Sequence, residues 1–368
     1  MNQILNTGIS NVKNILRYVF AEGAIARLPR LLEEPRRVGN GSAVFLIDEF
    51  FQEKAESLLA GAIRDGDQVR FVSTHDEPTT DEIDHLTAVI RQKDGSNCSA
   101  IVGMGGGITL DTAKAVSNLL TNAGGAADYQ GWDLVKNPGI FKIGIPTLSG
   151  TGAEATRTCV MTNKKTGVKL GMNSDHTVYD QLILDPNLTQ TVPRKQYFFS
   201  GMDAWIHCME ALNGAYRNPI GDAFSRQAMD LCDKVFSGGE MMSDVNRANL
   251  MVASYLGGCA IATSYVGVVH PFSAGLSVVL GLHHCVANCI VMTAMESFYP
   301  KSFARYTAFV KANEIEIPRE VCAGLDAAGH DALYESTIVH EKPLTNALGE
   351  DFRKVLTRDR VREIFEAM

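Results

Sequence analysis

The stretch "VGMGGGITLDTAKA" (residues 102–115) decides the fold of the N-terminal half of this chain. It runs from a β-branched segment through a cluster of glycines into a segment whose apolar residues have helical spacing. Glycines let the backbone approach a phosphate closely, and the free N–H groups at a helix N-terminus attract anions. Because tight strand–helix turns also use glycine, the stretch alone leaves a phosphate site and a purely structural turn equally open.

The segments on either side of this turn repeat the alternation of strand and helix. Helical spacing at residues 79–92 and 109–121 separates short β-branched runs that predict strands at 43–48, 69–73, 100–105 and 142–147. Such alternation predicts a parallel sheet with helical connections. After Pro193 helical spacing dominates. We therefore predict an α/β, Rossmann-like N-terminal domain over residues 1–193 and an all-α C-terminal domain over residues 194–368.

The composition is that of an ordinary globular protein. The 368 residues are 45% hydrophobic and 21% charged, and the net charge of -8 argues against a nucleic-acid surface. No apolar run reaches the ~18 residues of a membrane span, and the first residues lack the pattern of a signal peptide. The eight cysteines form no CxxC pair, which favours reduced thiols. We expect a cytoplasmic protein that binds neither nucleic acid nor a membrane.

Two further features favour a dinucleotide site. Asp48 ends the first predicted strand, where a carboxylate accepts hydrogen bonds from an adenosine ribose, although capping of a following helix is equally compatible with its position. The stretch "PTLSGTGAEATRT" (146–158) also follows a strand, and its hydroxyl and amide groups suit a phosphate or a nicotinamide. Two such turns, together with Asp48, predict a nucleotide site in the N-terminal domain.

The C-terminal half contains residues that suit a metal ion. In "SGMDAWIHCMEAL" (200–212), Asp203 and His207 lie one turn apart on one face of a predicted helix, a pair that also occurs on solvated helix surfaces. The stretch "VVHPFSAGLSVVLGLHHC" (268–285) adds further histidines in an apolar run, where both ring nitrogens need partners. These two stretches predict the two halves of one metal site.

The arithmetic of the helix limits how the second half is built. His270 and His284 would lie about 21 Å apart on one continuous helix, too far to share an ion. They meet only if the chain turns between them, and Gly275 and Gly281 are the candidate positions. Three imidazoles and one carboxylate suit Fe²⁺ or Zn²⁺ with a coordination position left open for a substrate oxygen. His283 is expected to contact the ligands or the substrate instead.

Jointly, several stretches resemble the iron-containing (group III) alcohol dehydrogenase family over essentially the whole chain. They are "GMGGGITLDTAKA", "IPTLSGTGAEATRT", "LILDPNLTQTVPRKQYFFSGMDAWIHCMEA" and "HHCVAN". The resemblance implies an architecture of the kind that dehydroquinate synthase shares, with a Rossmann-like domain followed by a helical domain. It also implies a divalent metal (Fe²⁺ or Zn²⁺) and NAD or NADP as cofactors.

The resemblance also implies the role of individual residues. It assigns the metal to Asp203, His207, His270 and His284. It assigns the cofactor to Asp48, Gly105, Gly106, Gly107, Asp111, Thr147, Leu148 and Thr151. Two positions depart from the family pattern, because Ile108 replaces a serine after the three glycines and Ala274 replaces a second histidine near the nicotinamide. The proton-relay role of that histidine is therefore not carried over.

A narrower resemblance concerns the substrate. Residues 129–158, 170–185 and 279–290 resemble the 3-deoxy-manno-octulosonate 8-oxidase subgroup. It implies oxidation of the terminal primary alcohol of that sugar acid, in the modification of lipopolysaccharide sugars, with oxygen as an alternative to NAD(P) as acceptor. Arg157, Lys169 and Asn173 are candidates for binding such a substrate, although solvation of the surface explains them equally well.

Other functions stay open at this point. Dehydrogenation of simple alcohols needs the same residues. A lyase of the dehydroquinate-synthase kind shares the two domains and the pairing of NAD with a metal, although that family usually has one carboxylate and two histidines as ligands. A sugar-binding protein without catalysis is a further alternative, and the full set of four ligands argues against it. A homodimer is the candidate assembly.

Overall fold

A computed structural model describes residues 12–39, 41–94 and 97–368 of the chain. It divides into two compact units. The α/β unit consists of Lys13–Leu148 and Ala153–Thr191, and the helical unit includes Ser149–Gly152 and Val192–Met368. The fold class predicted from the sequence is therefore confirmed.

The α/β unit is built on two sheets. Its strands are β1 (Arg17–Phe20), β2 (Ser42–Asp48), β3 (Gln68–Val72), β4 (Cys98–Gly105), β5 (Gly131–Trp132), β6 (Lys142–Pro146), β7 (Thr158–Asn163), β8 (Val168–Asn173) and β9 (Gln181–Leu184). The larger sheet has the order β1-β9-β6-β4-β2-β3, and all its pairs are parallel. The four strands predicted from the sequence are β2, β3, β4 and β6.

The central strands are buried on both faces. In β2, Phe45 and Ile47 pack into one apolar cluster, whereas Val44 and Leu46 pack into another on the opposite side. A parallel strand covered on both faces reads as a continuous apolar run, which is why "AVFLID" was recognisable in the sequence. The sheet therefore holds the carboxyl ends of β2 and β4, and with them Asp48 and the glycine turn, in a rigid frame.

The smaller sheet was not predicted. Its order is β5-β8-β7, and β7 pairs with β8 in the antiparallel direction. The turn between β7 and β8 includes Gly167, whose φ of 68° lies in the left-handed region. These strands are short. Two threonines and an asparagine interrupt β7, and a lysine and a glycine interrupt β8, so no apolar run marks them in the sequence.

The helices of the α/β unit are α1 (Leu28–Leu31), α2 (Glu33–Gly39), α3 (Ala55–Leu58), α4 (Thr80–Asp94) and α5 (Gly107–Leu119). Those of the helical unit are α6 (Arg194–Asn213), α7 (Pro219–Phe236), α8 (Asp244–Ser264), α9 (Val269–Leu280), α10 (His284–Met292), α11 (Pro300–Ala312), α12 (Ala327–Ile338), α13 (Glu341–Leu348), α14 (Phe352–Val355) and α15 (Arg358–Glu366).

Helix α6 is the centre of the helical unit. Every residue from Tyr197 to Ala211 is buried, and α6 packs against α7, α8 and α10. The aromatic side chains around it meet edge to face, with ring centroids 5.7 Å apart for Trp205 and Phe309 and 5.4 Å apart for Phe198 and Phe236. Polar residues on such a helix lie in an apolar surrounding, where they need specific partners.

One short segment corrects the predicted domain boundary. Ser149–Gly152 was placed in the first domain but belongs to the helical unit. The N–H of Gly150 donates to Ser254 Oγ (2.8 Å), and a Cβ on Gly152 would lie 2.6 Å from the Cα of Gly258. Contacts with α8 therefore hold the segment Ser149–Gly152 in the helical unit. No change of composition in the sequence indicates these contacts.

Among the described residues, no single helix is long and apolar enough to cross a membrane, although α8 and α9, bent by 105°, meet the criterion of length and composition as a pair. All eight cysteines are buried and none forms a disulfide.

Candidate metal centre and nucleotide turn

Helix α6 provides two of the predicted metal ligands. Asp203 and His207 are both buried, and His207 Nε2 lies 3.5 Å from Asp203 Oδ1. The spacing of four residues places them on one face of the helix, as the sequence predicted. A carboxylate with no exposed surface requires a cation or hydrogen-bond donors nearby, because burial without them is costly.

The other two predicted ligands come from α9 and α10. Helix α9 is closed by Gly281, whose φ of 69° lies in the left-handed region that ends helices, and His284 is the first residue of α10. His270 Nε2 lies 3.3 Å from Asp203 Oδ1, and His284 Nε2 lies 3.8 Å from Asp203 Oδ2. The turn that the helix arithmetic required is therefore at Gly281, whereas Gly275 lies inside α9.

The four residues together form a group that fits a divalent metal. Asp203, His207, His270 and His284 each offer one ligand atom, and these atoms lie within 4.8 Å of one another. Three imidazoles with one carboxylate match the ligands that Fe²⁺ and Zn²⁺ accept. The neighbouring His283 is exposed at the N-cap of α10 and is not part of this group.

The four side chains of the group shift one another's pKa values. Burial opposes the charge of Asp203, but the facing rings of His207, His284 and His270 outweigh it and hold the pKa of Asp203 below its usual range. Burial lowers the pKa of His207 to about 3, so its ring is neutral. Burial acts in the same direction on His270, but Glu210 and Asp203 raise the pKa of His270 to about 9.

The structure adds side chains that the sequence reasoning missed. Asn288 is fully buried, and its Nδ2 donates to Asp203 Oδ1 (2.7 Å). The Sγ of Cys285 donates to Asp203 Oδ2 (3.5 Å). Glu210 contacts His270 and lies seven residues after Asp203 on the same face of α6. The sequence did contain a signal for Asn288 and Glu210. Each follows a predicted ligand, His284 or Asp203, at a spacing that places both residues on one helix face.

The glycine turn of the α/β unit leads from β4 into α5. Gly106 is the N-cap of α5 and provides no side-chain cap, and no acidic residue occupies the first turn. The hydroxyl of Thr109, in that first turn, is buried without a hydrogen bond. Uncapped N–H groups and an unpaired buried hydroxyl at a helix N-terminus suit the pyrophosphate of a dinucleotide.

Several of the predicted cofactor residues surround this turn. A Cβ on Gly105 would lie 2.9 Å from the Cβ of Asp48, and a Cβ on Gly106 would lie 2.8 Å from Leu148 Cδ1. The N–H of Thr147 donates to the carbonyl of Gly105 (3.0 Å). Thr151 is different, because it lies in the segment Ser149–Gly152 of the helical unit.

Asp48 has the capping role that the sequence left open. Its Oδ1 accepts the N–H of Phe50 (3.0 Å) and caps the short 3₁₀ turn Glu49–Phe51. Burial raises the pKa of Asp48. Hydrogen bonds from the backbone of Phe50 and Gly106 and from the side chain of Thr74 act in the opposite direction. A contact between Asp48 and a ribose stays a prediction.

Asp111 contacts the small sheet. Its Oδ2 accepts the N–H of Val160 in β7 (2.9 Å), and its Oδ1 lies 3.6 Å from Nζ of the fully buried Lys114. The Lys114 Nζ also donates to the carbonyls of Thr156 (3.2 Å) and Thr158 (2.7 Å). Asp111 therefore helps to fix β7 against α5, and a role in cofactor binding stays a prediction.

The burial of Asp111 predicts a pH dependence of stability. Burial raises the pKa of Asp111 to about 6, against the effect of Lys114, so the folded state holds a proton that the unfolded state releases near pH 4. The contribution of Asp111 to stability is therefore lost as the pH rises from about 4 through 6. As the pH rises from 4 to 7.5, the free energy of unfolding of Asp111→Asn should increase by up to ~3 kcal/mol relative to that of the parent.

Urea unfolding of both proteins at several pH values measures this gain. Asp81→Asn is the matched control, because it also removes one carboxylate but at an exposed position of α4, where solvent screens the charge. A constant difference between Asp111→Asn and the parent from pH 4 to 7.5 would contradict the expected proton uptake.

Comparison with known proteins gives two matching family models. Residues 16–186 match the model described as iron-containing alcohol dehydrogenase. Residues 198–322 match the model of the C-terminal part of the Fe-containing alcohol dehydrogenase family. The matches follow each other along the chain and account for most of both units.

Individual proteins are similar as well. The chain is 35% identical to a sulfoacetaldehyde reductase of Bilophila wadsworthia, over 63% of this chain and 59% of that protein, so the match spans about three-fifths of the relative. It is 30% identical to an NAD-dependent methanol dehydrogenase of Bacillus methanolicus, over 76% of this chain and 73% of that protein. A solved 1,3-propanediol oxidoreductase shares the fold, with a TM-score of 0.81 at 23% identity, over 97% of this chain and 99% of that one.

Proposed function

This chain belongs to the iron-containing alcohol dehydrogenase family, and from that premise we propose that it is a metal-dependent alcohol oxidoreductase linked to a nicotinamide cofactor. The group of Asp203, His207, His270 and His284 is the observation that carries the proposal. These residues would hold a divalent ion, which would supply polarisation of a substrate hydroxyl and a lower pKa of that hydroxyl.

The protein's own side chains would hold the ion and direct the substrate. The exposed fraction of the side chains is 0% for Asp203, 4% for His207, 11% for His270 and 28% for His284. The alcohol would therefore approach on the side of His284. The donation from Asn288 fixes the Asp203 carboxylate, so it keeps one orientation during catalysis. Iron and zinc are both compatible with the donor set, and we propose either as the metal.

The nucleotide turn supports NAD as the hydride acceptor. The uncapped N-terminus of α5 and the Thr109 hydroxyl would bind the pyrophosphate, and Asp48 would accept hydrogen bonds from the ribose. The similar methanol dehydrogenase is named as NAD-dependent. Because a carboxylate repels a 2′-phosphate, we propose NAD rather than NADP.

For the substrate we propose the terminal primary alcohol of 3-deoxy-manno-octulosonate or of a related sugar acid. The three stretches that resemble the 8-oxidase subgroup support this, and they imply a role in lipopolysaccharide sugar modification. Arg157 pairs with Asp133 and Asp175 in the structure, and Lys169 pairs with Glu77. Other groups would therefore bind the carboxylate of the sugar.

The alternative substrates are smaller. The similar proteins are named for sulfoacetaldehyde, methanol and 1,3-propanediol, so a dehydrogenase of simple alcohols or small aldehydes is the second candidate. The same four ligands would serve either substrate class, because the reacting group is an alcohol or aldehyde in each case.

Parallel assays of the metal-loaded protein test the proposal. The protein is incubated with 3-deoxy-manno-octulosonate, methanol or 1,3-propanediol, while NADH formation and oxygen uptake are followed. NADH formed in step with aldehyde supports the dehydrogenase. Oxygen uptake without nucleotide indicates an oxidase. No oxidation of any alcohol, and no reduction of the aldehydes with NADH, contradicts the proposed activity.

Two further features of the proposal concern the cell and the assembly. A cytoplasmic location is proposed, because the eight cysteines are buried and form no disulfide. A homodimer is proposed as the assembly, because β1 is an edge strand of the larger sheet among the described residues and exposes Tyr18 and Phe20. Light scattering on the purified protein measures the oligomeric state directly.

A further inference from the structure

Glu210 is a buried carboxylate beside the four candidate metal ligands, and it is not one of them. It is the third acidic or imidazole residue along one face of α6, after Asp203 and His207. Its side chain has no exposed surface. A carboxylate in this position needs strong partners, since burying an unpaired charge is costly.

Both oxygens of Glu210 have partners at the start of α9. Oε1 accepts the N–H of Val269, the first residue of that helix, at 2.6 Å. Oε2 is hydrogen bonded to Nδ1 of His270. The N-cap residue Val268 has no side chain able to cap, so Glu210 supplies the cap from another helix. Its negative charge also lies at the positive end of the α9 dipole.

The contact with Nδ1 decides which nitrogen of His270 carries the proton. A carboxylate only accepts hydrogen bonds, so the proton lies on Nδ1. In the neutral ring that binds a metal, the lone pair is then on Nε2, the nitrogen that lies 3.3 Å from Asp203 Oδ1 within the donor group. Carboxylates that bind the outer nitrogen of a ligating histidine fix its tautomer and orientation.

The loop before α9 has independent anchors. Tyr299 Oη accepts the N–H of Val268 (3.2 Å), and Asn346 Nδ2 donates to the carbonyls of Ser264 (3.0 Å) and Val266 (2.9 Å). A Cβ on Gly267 would lie 2.5 Å from Tyr299 Oη, so the loop is closely packed there. The position of the loop and the tautomer of His270 are therefore separable by substitution.

We propose that Glu210 is a positioning residue that holds His270 in the tautomer required for metal binding and thereby sets the metal affinity of the site. The inference rests on the proposed function, because it assumes that the group of Asp203, His207, His270 and His284 binds a divalent ion. Glu210 itself contacts neither the substrate nor the ion and acts through the ring of His270.

Glu210→Gln is the decisive substitution. The amide oxygen of glutamine still accepts the N–H of Val269, so the cap of α9 is kept. The amide NH₂ then faces Nδ1 of His270 and donates to it, which moves the ring proton to Nε2 and blocks the lone pair. Tyr299→Phe is the matched control, because it removes the anchor of Val268 and leaves the contact with His270.

Cobalt binding to the metal-free full chain gives the readout. Affinity is measured by chelator competition, and the visible spectrum of bound Co²⁺ reports its geometry. We expect Glu210→Gln to weaken Co²⁺ binding about 10- to 100-fold and to alter the spectrum. The Co²⁺ affinity of Tyr299→Phe should stay within about threefold of that of the parent, because this substitution leaves the contact between Glu210 and His270 in place.

The outcomes separate this inference from the proposed function. If the parent binds Co²⁺ and His284→Ala abolishes binding, but Glu210→Gln matches the parent in affinity and spectrum, the inference is wrong and the metal site stands. An equal loss in Tyr299→Phe also overturns it. If His284→Ala binds Co²⁺ as the parent does, the proposed metal site fails and the inference fails with it.

A second measurement does not depend on the folding of Glu210→Gln. Histidine labelled with ¹⁵N in the zinc-loaded parent reports the tautomer of each ring, and His270→Ala identifies the signal of His270. We expect a protonated Nδ1 in His270. A proton on Nε2 would overturn the inference.

Discussion

Replacing His284 with alanine is expected to remove the bound metal and to lower kcat/KM for alcohol oxidation by about a thousandfold or more. Loss of metal removes several kcal/mol of transition-state stabilisation, and each ~1.4 kcal/mol corresponds to a factor of ten. The side chain of His284 is the most exposed of the four predicted ligands, at 28%, so its truncation leaves little cavity in the core. Activity and metal content should therefore fall together while the fold persists.

His283 provides a control one residue away. His283→Ala removes an exposed imidazole from the N-cap of α10 and should leave the bound metal in place. Metal content by elemental analysis and the unfolding temperature are compared in both variants. Full activity of a His284→Ala protein that contains no metal would refute the metal-dependent mechanism. A shift in KM alone for His283→Ala would indicate a contact with substrate.

The second large effect concerns the choice between NAD and NADP. If Asp48 binds the ribose, its charge should repel a 2′-phosphate at short range, an interaction of about 1.5 to 3 kcal/mol near the protein surface. The parent should then prefer NAD by at least about tenfold in kcat/KM, and Asp48→Asn should reduce that preference about 10- to 100-fold. Asparagine retains an oxygen for the N–H of Phe50, so the cap of the 3₁₀ turn is kept.

Glu49→Gln is the corresponding control. It removes a negative charge from the adjacent residue, whose side chain is more than a third exposed and contacts His75. Solvent screens such a charge, so the preference for NAD should change little. Equal shifts in the two variants, or a parent that uses NADP as well as NAD, would argue against the assigned role of Asp48.

The sequence predicted the parts of this protein that depend on local pattern. The buried parallel strands read as apolar runs, and the glycine turn lies between a strand and a helix as predicted. The pairing of Asp203 with His207 followed from helical spacing. The rise of the helix then required a turn between His270 and His284, and the structure has that turn at Gly281.

Other features were decided only by the tertiary structure. The partner of His270 is Glu210, 60 positions earlier in the chain, and the donor to Asp203 is Asn288, 85 positions later. Ser149–Gly152 joins the helical unit through a contact with Ser254, 104 positions away. Periodicity reports which face of an element is buried, but it carries no information on which distant face will pack against it. That choice is made when the helices pack, and it determines which polar atoms meet.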